Sequence, residues 1–113
     1  MPRPLRTLLI PIALLSLLLA VCTQPVPAAR QAFVGHWESD SVSLRITAQG
    51  RVLYKRVKGT TTTSIDAPLK AFEGDNLVVG VGPLTTTFMV TSAPHETQGR
   101  WTMTVDGEEL VRR

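Results

Sequence analysis

His36, Glu38 and Asp40 occupy every second position of a short stretch near the start of the β-rich part of the chain. In a β-strand, alternate side chains point to the same face, so an imidazole and two carboxylates would lie together. Such a set could hold a divalent metal ion, with a further ligand from a later loop. The other interpretation is a solvated polar face behind a buried Trp37, which half-buried strands usually show. We favour the second interpretation and predict no metal site.

A second group of reactive side chains is basic. The stretch RVLYKRVKG places four cations, Arg51, Lys55, Arg56 and Lys58, around Tyr54. A cluster of this kind could receive an anionic sugar, a phosphate or a lipid head group. Lysine and arginine also keep exposed edge strands soluble, so the cluster by itself names no ligand. The residues predicted to contact a ligand or partner are Trp37, Tyr54, Arg51, Lys55 and Arg56.

The residues that catalysis would need are not arranged for it. No serine stands in a Gly-x-Ser-x-Gly elbow. Glu108 and Glu109 lie beside a turn, whereas an acid–base pair needs two groups placed across a cleft. Gly80 and Gly82 interrupt a strand and are not followed by a helix that could cradle phosphate. The sequence therefore predicts a non-catalytic protein, and no cofactor.

The elements that must position these side chains are β-strands. The stretch SVSLRIT alternates apolar and polar residues, and the AQG that follows predicts a three-residue hairpin loop with Gly50 in the left-handed conformation. This loop would pair Ile46 with Val52 and Leu44 with Tyr54. A two-residue loop would turn every side chain of the second strand to the opposite face. We favour the longer loop because it places Val52 and Tyr54 with the apolar stripe.

The later segments also read as strands separated by turns. TTTTSI is a predicted strand, APLKAF a short strand broken by Pro68, LVVGV a buried strand and LTTTFMVT its returning partner. SAPHETQG is the longest predicted loop, before the strand RWTMTV. Asp106 and Gly107 give the strongest hairpin signal, since both central residues of such a turn need a positive φ. That turn would place Met103 opposite Leu110.

These segments predict an all-β fold: an antiparallel up-and-down meander of about eight short strands forming a small barrel or sandwich. No long stretch of the chain after Arg30 has helical periodicity. Closing the sheet on itself would hide its edges. The predicted core residues are Phe33, Trp37, Val42, Leu44, Ile46, Tyr54, Leu77, Val79, Phe88, Trp101, Met103 and Leu110.

The stretch Gly35-His36-Trp37, followed by an alternating strand and a glycine hairpin, resembles the opening of the lipocalin-like small β-barrels. In that family the tryptophan of a Gly-x-Trp motif closes one end of the barrel. The resemblance implies this role for Trp37 and a tight approach of the chain at Gly35. It implies a barrel-like meander but carries over no ligand. The ending MTVDGEELVRR looks like that of uncharacterised exported bacterial proteins.

The N-terminus has the layout of an export signal, with Arg3 and Arg6 before an apolar run from Leu8 to Val21. A helix of those 14 residues would be about 21 Å long, too short for a hydrocarbon core of about 30 Å. We therefore predict a signal peptide and a periplasmic or secreted protein. The predicted organisation is residues 1–28 as signal peptide, 29–32 as a short linker and 33–113 as a single β domain.

Two positions of processing are compatible with the sequence. Val26-Pro27-Ala28 places small side chains at the third and first positions before a cut after Ala28. Alternatively, Leu-Ala-Val-Cys resembles the bacterial lipoprotein box, although Val21 stands where Gly, Ala or Ser is usual. In that case Cys22 would be lipidated and the protein would be an outer-membrane lipoprotein. A membrane is expected as a partner only if Cys22 carries a lipid.

Composition excludes some functions for the processed chain. Removing 28 of the 113 residues leaves 85, none of them cysteine, so neither a disulfide nor thiol chemistry is expected. The leader takes two of the 12 Lys and Arg and none of the nine Asp and Glu, so the net charge falls from +3 to +1. A nearly neutral domain does not support nucleic-acid binding.

Two hypotheses for the function remain. The first is an exported binding module in which a small β-barrel holds a small apolar or amphipathic ligand. The second is an interaction or accessory protein of the cell envelope, such as an inhibitor or an assembly subunit. The first requires an accessible cavity, and the second predicts a packed core with an exposed contact patch. The sequence favours the first slightly.

Overall fold

The structure, a computed structural model, describes residues 24–113. Most of the predicted signal peptide (1–28), including Cys22, lies outside the described residues, so its boundaries stay predictions. The described chain forms a short 3₁₀ helix followed by nine strands. Their bounds are Ala28–Phe33 for the helix, then β1 Gly35–Glu38, β2 Val42–Ile46, β3 Arg51–Lys58, β4 Thr61–Glu73, β5 Asn76–Val81, β6 Leu84–Phe88, β7 Val90–Thr97, β8 Arg100–Val105 and β9 Glu108–Arg112.

The nine strands form one antiparallel sheet in the order β6-β5-β4-β3-β2-β1-β9-β8-β7. The predicted all-β meander is therefore confirmed, and the sheet is strongly curled into a half-barrel. Its two edges, β6 and β7, are consecutive in the chain and separated only by Met89. Met89 divides the predicted strand LTTTFMVT into two strands. The first, β6, pairs with β5, and the second, β7, pairs with β8. At this corner the Asn76 side chain accepts a hydrogen bond from the Val90 backbone N–H at 2.8 Å.

The predicted strand registers are confirmed at both hairpins. Ile46 pairs with Val52 and Leu44 with Tyr54, as the three-residue loop requires. Met103 lies opposite Leu110 across the β8–β9 hairpin. Its two turn residues, Asp106 and Gly107, have φ values of 49° and 81°. The hydrophobic alternation and the turn residues together fix which face of each strand is buried.

Two predicted elements are wrong. Pro68 does not break a strand, because β4 runs without interruption from Thr61 to Glu73. The segment SAPHETQG is not a loop: most of it belongs to the edge strand β7. Its pairing with β8 is irregular on both sides of Ser92, and Pro94 lies within the second irregular stretch. An edge strand tolerates proline at such a place because the missing N–H is not needed by a second neighbour.

The concave face of the sheet holds the core. All predicted core residues are buried except Trp101, which is half-buried. Tyr54 packs on Phe88 with ring centroids 4.8 Å apart, and Phe33 packs edge-on against Phe72 at 5.1 Å. No buried polar or charged residue occurs within residues 24–113. The buried hydrophobic residues that the prediction did not include as core are Val26, Val52, Leu69, Val78, Val90 and Val105.

Trp37 lies at the centre of this core and has no exposed surface. Its indole N–H donates a hydrogen bond of 2.9 Å to the Phe33 carbonyl oxygen in the 3₁₀ helix. The Arg112 guanidinium lies over the rings of Trp37 and Trp101, at 5.5 and 4.6 Å from their centroids. Arg112 also passes close to Gly35, where a Cβ would come within 2.8 Å of its Cδ. The residues of the Gly-x-Trp opening are therefore packed together at the joint between β1 and β9.

Candidate functional site

A hollow of about 510 Å³ lies on the convex face of the sheet, across β1 to β4. We call it the outer-face hollow. Its polar lining consists of small hydroxyls between longer charged side chains, and its apolar lining comes from Leu53, Tyr54 and Ile65. The lining residues from the outward-facing positions of the four strands are His36, Ser43, Arg45, Leu53, Lys55, Ser64 and Asp66.

Strand register explains why these residues meet. His36, Arg45, Leu53 and Asp66 are successive cross-strand neighbours on β1, β2, β3 and β4. A second row, two residues away, runs through Glu38, Ser43, Lys55 and Ser64. Both rows face away from the core because each residue alternates with a residue of the apolar stripe.

Two cations of the hollow have no acidic partner. Asp66 accepts from the Arg51 guanidinium at 2.7 Å and is thereby occupied. Arg45 and Lys55 form no ion pair with any residue in the described part of the chain. They are diagonal neighbours on β2 and β3, a relation that places residues about 7–8 Å apart. This places an uncompensated double positive charge over one side of the hollow.

The remaining polar groups add donors near these cations. Ser43 is the cross-strand partner of Lys55 on one side, and Ser64 is its partner on the other. Leu53, directly opposite Arg45, is 36% exposed and offers an apolar surface beside the charge. Ammonium, guanidinium and hydroxyl donors beside an apolar side chain suit an anionic head group with a hydrocarbon portion.

His36, Ser43 and Glu38 lie close together, but their geometry is not that of a catalytic triad. The same nitrogen, His36 Nε2, is 3.1 Å from the Ser43 hydroxyl and 3.0 Å from the Glu38 carboxylate. In a triad the imidazole uses one nitrogen toward the nucleophile and the other toward the acid. One nitrogen cannot accept from serine while it donates to glutamate. The trio therefore orders polar side chains at the rim of the outer-face hollow.

His36, Glu38 and Asp40, the three candidate metal ligands, do not point to one common position. Glu38 contacts His36 and, at 3.7 Å, the Arg113 guanidinium. Asp40 lies in the exposed bend after β1. Within residues 24–113, no group of three or more His, Cys, Asp or Glu side chains is placed to hold a metal ion.

The predicted contact residues do not form one site. Trp37 is fully buried in the core, whereas Tyr54 packs on Phe88 in the core and also contributes to the lining of the outer-face hollow. Arg51 is paired with Asp66 just beside the outer-face hollow. Of the predicted set, Tyr54 and Lys55 line the outer-face hollow, and Lys55 is the charged one of the two.

Arg56 lies on the opposite face of β3 from Lys55. Together with Lys58, Thr61 and Thr63 it lines a separate hollow of about 310 Å³ near the tip of the β3–β4 hairpin. Strand alternation separates the two neighbouring cations in this way, because consecutive side chains point to opposite faces.

The prediction missed Arg45 as a site residue, although the signal was present. Arg45 is on the polar face of SVSLRIT, and the predicted register already places that face beside Lys55. The contributions of Ser64 and Asp66 could not be anticipated, since the register of β4 depends on the length of the β3–β4 turn.

Within the described residues, no helix is long and apolar enough to cross a lipid bilayer. Comparison of the chain with protein-family models, curated proteins and solved structures finds no match in any of the three. The function must therefore be argued from the site itself.

Proposed function

We propose that the domain is a non-catalytic binding module for a small amphipathic anion, which it holds in the outer-face hollow. The observation that carries the proposal is the juxtaposition of Arg45 and Lys55, both without an acidic partner in the described chain, with the exposed side chain of Leu53. A carboxylate or phosphate head would neutralise the two cations, and a hydrocarbon portion would cover the leucine. The volume of about 510 Å³ suits a small molecule.

The filled interior supports an external site. Trp37, Leu44, Leu77, Met103 and Leu110 have no exposed surface, so their side chains occupy the space that a ligand would need inside the half-barrel. Small barrels are commonly filled by side chains in this way. The resemblance to lipocalin-like barrels is limited to the Gly35-His36-Trp37 opening, and no ligand is carried over from it.

The proposed setting is the space outside the cytoplasm, as a periplasmic or secreted protein or as an outer-membrane lipoprotein. The export layout of the N-terminal residues supports this setting. Small amphipathic anions of lipid origin are plentiful next to membranes, and a nearly neutral domain could bind them without adhering to every anionic surface.

Binding of laurate, measured by isothermal titration calorimetry, tests the proposal. We expect the double variant Arg45→Ala/Lys55→Ala to weaken laurate binding at least tenfold, since it removes both charges that face the head group. The matched control is Arg56→Ala/Lys58→Ala, which removes one arginine and one lysine from the opposite face of β3. The control should bind laurate as the wild type does. Equal losses in the two double variants, or no binding of laurate or dodecyl phosphate by the wild type, would refute the proposal.

A second candidate function, an assembly subunit of the cell envelope, is favoured by the β5–β6 hairpin. From residue 76 to residue 95 the chain contains no Asp, Glu, Lys or Arg. Val81 and Leu84, on either side of the hairpin turn, are 70% and 81% exposed. Strand β6 is an edge strand, with β5 as its only neighbour in the sheet of residues 24–113. Edge strands that must stay single usually carry charges or proline, and β6 carries neither.

The occupant proposed for this edge is a second copy of the chain. An antiparallel β6–β6 pair centred on Thr86 would extend the sheet across a twofold axis and bring together two uncharged surfaces. The described residues carry ten Lys and Arg and nine Asp and Glu, so two copies would not repel strongly. A partner with a charged surface would find no opposite charge on this hairpin to form ion pairs with.

Sedimentation velocity tests this second candidate. We expect a dimer for the wild type, a monomer for Thr86→Lys and a dimer for the control Thr60→Lys, which places the same charge at the exposed β3–β4 turn. A wild type that stays monomeric at about 100 μM, a concentration at which even a weak micromolar dimer would form, would refute it.

A further inference from the structure

The four residues that precede the 3₁₀ helix, Gln24 to Pro27, are packed onto the sheet. We call them the N-terminal strap. Val26 is 5% exposed and belongs to the core cluster. Its backbone N–H donates to the Ala48 carbonyl oxygen at 3.0 Å, and its own carbonyl accepts from the Gln31 side chain at 2.8 Å. The strap is thus fixed by an apolar anchor and by hydrogen bonds on both sides of it.

The β2–β3 loop is shaped to receive the strap. Gly50 has a φ of 95°, and a Cβ at this position would overlap the Gln24 carbonyl oxygen. The Gly50 carbonyl, in turn, accepts a hydrogen bond from the Leu69 N–H at 2.7 Å, so the loop cannot easily move away from the strap. A hairpin loop alone accounts for the positive φ of this glycine. The close approach of Gln24 accounts for the absence of any side chain.

We infer that residues 24–28 are part of the mature domain and that processing of the chain leaves them in place. A cut after Ala28 would remove Val26 from the core, uncover Gly50 and delete the Pro27 carbonyl that accepts from the Arg30 N–H at 2.9 Å. A segment with these contacts is not an expendable end of a leader. The inference uses the proposed export of the protein only to ask where the cut falls.

Of the two processing positions that the sequence offers, the one at Cys22 preserves the strap and the one after Ala28 does not. The experiment is to express the full chain with export in a bacterial host and to measure the intact mass of the protein from the envelope fraction. We expect a processed chain that begins after Met1 and no later than Gln24, whether or not a lipid adds to the mass. A chain that begins at Ala29 would overturn the inference. An unprocessed chain beginning at Met1 would contradict the proposed export, since the leader would not have been cut. The two failures are therefore distinguishable.

The Tm of a Val26 variant gives a second test that does not depend on the mass. Val26→Ser in the full chain keeps a small residue three positions before the Ala28–Ala29 bond, so it does not block a cut there. If the strap is retained, the loss of the buried Val26 side chain should lower the Tm of the processed protein by about 5–15 °C. If processing removes the strap, the processed wild type and variant are the same molecule, and their Tm values would coincide.

Gly50→Ala provides the matched test of the docking site. In a chain that starts at Gln24, the added Cβ should displace the strap, so that deleting residues 24–28 as well causes little further loss of Tm. In the wild-type background the same deletion should lower Tm by about 10 °C or prevent folding. If the deletion had the same effect on Tm in both backgrounds, Gly50 and the strap would be independent and the inference would be wrong.

Discussion

Asp106 and Met89 exchange two hydrogen bonds of 2.8 Å each across the corner of the half-barrel. The Met89 backbone N–H donates to the Asp106 carboxylate, and the Asp106 backbone N–H donates to the Met89 carbonyl. Asp106 is a turn residue of the β8–β9 hairpin, whereas Met89 joins the two edge strands β6 and β7. The turn therefore holds the point at which the chain passes from one edge of the sheet to the other.

This relationship predicts that Asp106→Ala destabilises the domain more than Asp106→Asn. Asparagine keeps the side-chain acceptor and tolerates a φ of 49°, whereas alanine loses the acceptor and is strained there. We expect a loss of about 2 kcal/mol in the free energy of unfolding for alanine and less than about 1 kcal/mol for asparagine. Urea unfolding followed by far-UV circular dichroism measures both values. Equal stability of the two variants would show that the side-chain hydrogen bond is unimportant.

A second prediction concerns the two tryptophans that share Arg112. Trp37→Phe removes the donor to the Phe33 carbonyl and leaves space in the centre of the core, so we expect a loss of about 2–3 kcal/mol. Trp101 is half-buried, and Trp101→Phe should cost less than about 1 kcal/mol. Far-UV circular dichroism in urea gives both values without relying on indole fluorescence. A larger loss for Trp101→Phe would contradict the central position assigned to Trp37.

A third prediction separates backbone strain from steric overlap. Gly80 in β5 has a φ of 133°, and a Cβ there would overlap the Leu84 carbonyl oxygen of β6. Gly59 also has a positive φ, of 60°, but a Cβ there would meet nothing within 4 Å. Gly59→Ala should therefore cost about 1 kcal/mol from strain alone, and Gly80→Ala about 2–3 kcal/mol or more. Similar losses in the free energy of unfolding for the two variants would mean that β6 can move away from β5 to make room for the added Cβ without destabilising the domain.

Much of the sheet was predictable because local patterns determined it. The alternation in SVSLRIT and the turn at Gly50 were sufficient to give the register of β2 and β3, and Asp106-Gly107 gave that of β8 and β9. These signals work because a shift of one residue would expose a whole apolar stripe.

The errors arose where a strand changes neighbours. The Leu69 N–H points toward β3 and donates to the Gly50 carbonyl. Because consecutive backbone N–H groups point to opposite sides of a strand, the nitrogen of Pro68, which has no hydrogen, points toward β5. Pairing with β5 begins only at Leu69, and no hydrogen bond is lost at Pro68. Met89 divides β6 from β7 without any glycine or proline to mark the change. Such partner changes depend on the whole sheet, which no short stretch of sequence contains.

The candidate site was only partly predictable for the same reason. Alternation alone shows that Lys55 and Arg56 point to opposite faces and that Tyr54 is buried, so the predicted cluster could have been divided in advance. The encounter of Arg45 with Lys55 follows from the predicted β2–β3 register. The absence of an acidic partner for either residue depends on Asp66 pairing with Arg51, which requires the register of β4.

The central claim is that a small amphipathic anion binds to the convex face of β1–β4. Its most direct test is titration of the ¹⁵N-labelled protein with laurate, with amide chemical shifts followed by NMR. The account predicts that the largest shift changes occur at Ser43, Arg45, Lys55 and Ser64. The amides of the buried core residues Leu44 and Met103 should show only small changes relayed through the sheet. Shifts centred on the core residues would place the ligand inside the half-barrel, and shifts centred on Arg56 and Lys58 would place it on the opposite face of β3. Either result would contradict the account.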